Sequence, residues 1–183
     1  MKHFKNFKTC VYCTAQTLAS LDETTLARDY AYLEKYVGID KVYLETYRDG
    51  TWVAIDHMKM IQNFFKEHGV EIAGGITTVT PPLEKDDAKR QRLFQTFCYS
   101  NETMRTYLKK IVTYTAELFD EIILDDFFFT SCTCDDCLRE RSNLSWAEFR
   151  SNKMIDVAEK SRFKACETCK SICKSYHQIS KLA

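Results

Sequence analysis

Paired carboxylates and three closely spaced cysteines share one short segment, FDEIILDDFFFTSCTCDDC at 119–137. Asp125 and Asp126 close the apolar run Ile122-Ile123-Leu124, and Cys132, Cys134 and Cys137 follow an aromatic run. Short continuous hydrophobic stretches read as strands of a parallel sheet, and function gathers at the carboxyl ends of such strands. Carboxylates there suit proton transfer or nucleophilic attack. Neighbouring side chains on a strand point to opposite faces, so only one of the two acids can enter a site. Asp126, nearer the strand's carboxyl end, is the first candidate and Asp125 its competitor; the structural alternative for either is a capping or loop-ordering acid.

The cysteines offer a second chemistry. Thiolates are good Zn²⁺ ligands, and a structural zinc site usually takes four. Cys132, Cys134 and Cys137 supply three, and Cys98, at the end of a long connection, is the best fourth; Asp135, Asp136 and His57 are weaker candidates. The plain alternative is a loop of reduced thiols. Cys10-x-x-Cys13 falls inside a strand, where residues three apart face opposite ways, so core packing suits it better than redox chemistry. His3, His57, His68 and His177 form no HExxH-like pair, which leaves a catalytic zinc site without sequence support.

A further group stands after the second apolar run. Glu45 and Arg48 lie where strand-end contacts to substrate are expected, with Tyr47 or Tyr43 as stacking surface and Trp52 in the same loop. The alternatives are a surface ion pair for Glu45 and Arg48 and a core position for Trp52.

These residues need elements to position them, and a strand-then-helix rhythm supplies them. Cys10–Cys13 reads as a strand, and the capping box Ser20-Leu21-Asp22-Glu23 opens a helix with Leu26, Tyr30, Leu33 and Val37 on one face, closed by Gly38. Lys41–Thr46 is the second strand, followed by a helix from about Asp56 to Gly69. Val70–Ile76 is the third. A long connection with Pro81-Pro82 and the charged stretch Glu84–Arg92 leads to a helix from about Asn101, with Met104, Leu108, Ile111, Thr115 and Leu118 on its apolar face. Glu121–Asp126 is the fourth strand, and a capping box at Ser145–Glu148 opens a helix over 146–160.

Alternating strands and helices predict α/β architecture with parallel βαβ units. The turn after the first strand, TAQTLAS, lacks glycine, which disfavours a phosphate-binding doubly wound sheet and favours a (β/α)8 barrel. Such barrels run to about 250 residues, so this chain is expected to supply the first half over residues 1–160.

The segments VYLETYRDG at 42–50, HGVEIAGGIT at 68–77, FCYSNE at 97–102 and the acid- and cysteine-bearing segment at 119–137 together resemble the amino-terminal half of TIM-barrel glycoside hydrolases, including glycosidase-like proteins of gut and soil bacteria. The resemblance spans roughly residues 9–160, and its last segment is the distinctive one. It implies a carbohydrate substrate, acid/base hydrolysis of a glycosidic bond without a redox cofactor, and a site carboxylate at the end of the fourth strand. Asp126 or Asp125, with Glu45, would be catalytic, and Arg48, Tyr47 and Trp52 would bind substrate. It also implies a structural zinc on Cys132, Cys134, Cys137 and Cys98. The competing reading is a noncatalytic carbohydrate-binding or zinc-stabilised interaction module.

Composition narrows the partners. With 26 basic and 26 acidic residues the formal charge is zero, so no electrostatic footprint points to nucleic acid or an anionic membrane. No apolar stretch approaches a membrane span of about 18 residues, and the start lacks a signal-peptide core, so a cytoplasmic protein is expected, or an exported parent if a leader lies upstream. Nine cysteines, an odd number, argue for thiols or metal ligands over a disulfide framework. The tail 161–183 changes character, with Cys166, Cys169 and Cys173 close together and five basic residues facing the single acid Glu167. A one-base shift lets the codons of its Cys-Lys-Ser-Tyr-His-Gln run encode a strand-like sequence, which predicts a frameshifted or interrupted end; the alternative is a genuine basic tail that binds metal or a partner. A half barrel would have unpaired strand edges, so self-association and inactivity alone are expected.

Overall fold

The computed structural model describes residues 4–80, 83, 92–125 and 130–160, with side chains to residue 157. In chain order the elements are β1 (Cys10–Cys13), α1 (Ala15–Ser20), α2 (Glu23–Tyr36), β2 (Lys41–Glu45), β3 (Tyr47–Arg48), β4 (Thr51–Trp52), α3 (Ile55–Glu67), β5 (Glu71–Thr77), a 3-10 turn at Leu93–Gln95, α4 (Glu102–Ala116), β6 (Ile122–Asp125), α5 (Asp135–Arg141) and α6 (Trp146–Lys160). Strands β1, β2, β5 and β6 stand side by side in that order, parallel throughout, while β3 and β4 form an antiparallel hairpin. The α/β reading holds. The strand order never reverses about a central strand, as it would in a doubly wound sheet.

Helices pack on one face of this sheet. Val42 and Leu44, with Val11, Cys13 and Ile72 beside them, meet Leu26 of α2 and Met58, Ile61 and Phe65 of α3. Ile76 and Leu124 meet Met104, Leu108, Ile111 and Val112 of α4. Contact with α4 is close enough to require glycine in the strand: a Cβ on Gly74 would lie 2.8 Å from both Phe119 and Thr115 side-chain carbons. The alternate face carries Tyr12, Tyr43, Glu45, Gly75, Thr77 and Asp125, because side chains alternate along a strand. Register aligns them, with Tyr12 beside Tyr43, Glu45 beside Gly75 and Thr77 beside Asp125.

Local chemistry sets the helix ends. Asn101 accepts from Met104 N–H at 3.0 Å to open α4, and Ser145 and Glu148 cap α6 reciprocally. Gly38 and Gly69 take positive φ just beyond α2 and α3. The first capping box lies two residues later than Ser20 predicts. Ser20 closes α1 by donating to the Thr17 carbonyl, and Asp22 caps α2 with Thr25. No helix among the described residues is long and apolar enough to cross a membrane. The tail 161–183 lies outside the described residues.

Candidate active site and metal centre

The carboxyl ends of β2, β5 and β6 bring Glu45, Thr77 and Asp125 to one edge of the sheet, and Tyr12 reaches them from β1. Glu45 is the hub and is fully buried. Its Oε1 accepts from the Tyr12 hydroxyl at 2.8 Å and Arg48 Nε at 3.0 Å; its Oε2 accepts from Ala15 N–H at 2.7 Å and Arg48 Nε at 2.8 Å. A buried carboxylate is tolerated only when paired and hydrogen-bonded in this way. The bond to Glu45 pushes the Arg48 guanidinium further up from its already high range, leaving a fixed cation.

Arg48 is aimed by the β3–β4 hairpin. Asp49 and Gly50 both take positive φ at its turn, as a two-residue hairpin of this twist requires. From there Arg48 Nη2 donates to Thr77 Oγ1 at 2.9 Å and lies 3.7 Å from Asp125 Oδ2, while Thr77 Oγ1 donates to the same Asp125 oxygen at 3.4 Å. The Asp125 side chain is 47% exposed. Asp126 lies outside the described residues. Tyr12 completes the group because Gly75 leaves space for its ring: a Cβ there would be 2.8 Å from the phenol oxygen. Burial pushes the Tyr12 phenol up, so it serves as a neutral donor.

The two aromatic candidates beside Arg48 pack inward. Tyr47 is fully buried, its ring 5.0 Å from that of Trp52 and 5.6 Å from that of Tyr107. The half-buried Trp52 indole donates to the Tyr107 hydroxyl at 3.0 Å. Together they seat the hairpin. Tyr12 and Thr77 were not singled out in the sequence; their signal was strand parity with Glu45.

The second centre assembles Cys98, Cys132, Cys134 and Cys137, whose sulfurs all lie within 4.8 Å of one another. Cys98 Sγ is 3.6 Å from those of Cys134 and Cys137, and these two are 3.7 Å apart. A tetrahedron with metal–sulfur bonds of about 2.3 Å has edges of about 3.8 Å. Donor type, number and spacing therefore fit one metal ion, and all six described cysteines are unbridged. The thiols share protons unevenly: hydrogen bonds from Cys137 and Cys98 hold Cys132 below the ordinary cysteine range, and the bond to Cys132 pushes Cys98 up. The weaker fourth-ligand candidates are engaged elsewhere or exposed. His57 Nε2 bonds the Leu18 carbonyl at 2.7 Å, Asp136 pairs with Arg139, and Asp135 opens α5. In the other cysteine pair, burial pushes the Cys13 thiol up to about 11, and Cys10 is exposed.

A sequence profile described as "Probable glycosyl hydrolase, catalytic domain" matches residues 1–173. An uncharacterized protein of Saccharolobus solfataricus is 35% identical over 155 residues, which cover 84% of this chain and 25% of the relative. The chain thus spans about a quarter of the length of that curated relative, which is archaeal. No solved structure matches the chain.

Proposed function

The chain belongs to the family of probable glycosyl hydrolase catalytic domains, and from that premise we propose that it carries the first four βα units of a (β/α)8 barrel that hydrolyses glycosidic bonds. The observation that carries this reading is the convergence of Glu45, Arg48, Thr77 and Asp125 at the carboxyl edge of a sheet whose strands follow chain order. Barrel enzymes place their chemistry at that edge. Packing of α2, α3 and α4 on one face supports the same architecture, with the opposite face, which carries Tyr12, Glu45, Thr77 and Asp125, as the barrel interior and the remaining strands supplied by further polypeptide.

Hydrolysis needs two carboxyl groups, one to protonate the leaving oxygen and one to attack the anomeric carbon or activate water. Asp125 is our choice from this chain, with Asp126 as the alternative, because Asp125 combines exposure with orientation by Arg48 and Thr77. Glu45, with both oxygens engaged and no exposed surface, acts through Arg48 as a positioning residue. The partner carboxyl belongs to the other half of the barrel. We further propose zinc as the ion of the cysteine centre, in a structural role.

The test is a panel of aryl glycosides and oligosaccharides offered to the chain extended to a full barrel by family sequence. Release of sugar supports the proposal. Binding without release favours the noncatalytic carbohydrate-binding module, and neither binding nor release removes carbohydrate from the account.

A further inference from the structure

Four thiolates around one divalent ion leave a double negative charge, and burying such a centre requires compensation nearby. Arg92 supplies a cation at the right place. It is 3% exposed, its Nη1 lies 3.9 Å from Cys132 Sγ, and its Nε donates to the Thr96 carbonyl. The contact belongs to a seam between the loops that follow β5 and β6. Leu93 N–H donates to Ser131 Oγ at 2.7 Å, the Ser100 hydroxyl lies 3.5 Å from Cys137 Sγ, and Cys98 faces Cys134 and Cys137 across the same seam. Phe94 and Gln95, both at positive φ, turn the chain sharply just after Arg92. Non-glycine residues persist in that region only when their surroundings hold them there.

We infer that Arg92 is the charge-compensating positioning residue of the four-cysteine metal centre, and that the loaded centre clamps the segments 92–100 and 131–137 together. The inference rests on the metal-binding reading of the cysteines. Groups around a metal's own ligands tune its affinity, typically by 10–100-fold when removed. Arg92 acts electrostatically here: its buried guanidinium lies against Cys132 Sγ, beside the net negative charge of the loaded centre.

The experiment is equilibrium competition between the full 183-residue chain and a chromophoric chelator for Zn²⁺, with Co²⁺ loading to report coordination from the thiolate charge-transfer spectrum. The wild-type chain is expected to hold one ion in tetrathiolate geometry. Arg92→Met should weaken zinc binding about 10–100-fold without altering the cobalt spectrum, Arg92→Lys should recover most of the loss, and Arg28→Met, at an exposed helical pair far in sequence from the centre, should match wild type. Circular dichroism at saturating zinc checks folding. If Arg92→Met does not fold, Arg92→Gln carries the same comparison. A wild-type chain that takes no metal overturns the metal reading and this inference with it. One bound ion with unchanged affinity in the neutral variant, or equal losses in the lysine and neutral variants, overturns the role of Arg92 alone.

Discussion

At the scale of single residues, the site is organised by a buried acid that does not face solvent. Glu45 gathers Arg48, Tyr12 and the Ala15 amide, and through Arg48 it sets the approach to Asp125. Replacing it by Gln keeps the shape but removes the charge that holds a partly buried guanidinium. Hydrogen bonds to charged groups contribute about 1.5–3 kcal/mol each, and the exposure of Arg48 reduces the penalty of leaving it unpaired. Glu45→Gln should therefore lower stability by about 2–3 kcal/mol in urea unfolding; a change below about 0.5 kcal/mol would mean the network is not holding the strand ends. Much of this was legible beforehand. Glu45, Arg48 and Asp125 stand out as polar groups ending apolar runs, and Cys98 as the cysteine whose connection ends near the other three. Arg92 was not, because in sequence it merely closes the charged stretch Glu84–Arg92, and only the fold brings Cys132 to it.

At the scale of elements, the long helices and the sheet strands were legible because their punctuation is chemical. Asn101, the Ser145–Glu148 pair, Gly38 and Gly69 satisfy or terminate backbone groups in ways that sequence announces. The short helices α1 and α5 and the β3–β4 hairpin were missed. One or two turns of helix give too few residues for a 3.6-residue period, although Asp49-Gly50 carries the hairpin signal. The caps also make an acid-sensitivity prediction. Hydrogen bonds from Thr25 lower the pKa of Asp22, and those from Ser145 lower that of Glu148. A carboxylate with a depressed folded pKa contributes stability that is complete above its unfolded value of about 4 and lost as pH falls through the folded value. Helix content followed by circular dichroism should hold from pH 7 to about 5 and decline below about 4; Asp22→Asn, which caps without a titrating charge, should flatten part of that decline. An identical decline in the variant would remove Asp22 from the effect.

At the scale of the whole molecule, helices α2, α3 and α4 pack on one face of the sheet, and among the described residues its edge strands β1 and β6 each have one sheet neighbour. Unpaired strand edges favour association. Sedimentation velocity of the 183-residue chain should show concentration-dependent oligomers, whereas the chain extended to a full barrel should sediment as one species; a strictly monomeric 183-residue chain would count against the half-barrel architecture. The proposed architecture matters because it would give Asp125 a partner carboxyl across a barrel mouth. The most direct measurement is glycoside turnover by the extended chain with Asp125→Asn against wild type, alongside sugar binding. General acid–base groups contribute about 10²–10⁴-fold, so turnover should fall at least about 100-fold while binding changes little. Turnover at the wild-type rate in the Asp125→Asn chain would contradict the assignment of Asp125 to the chemistry.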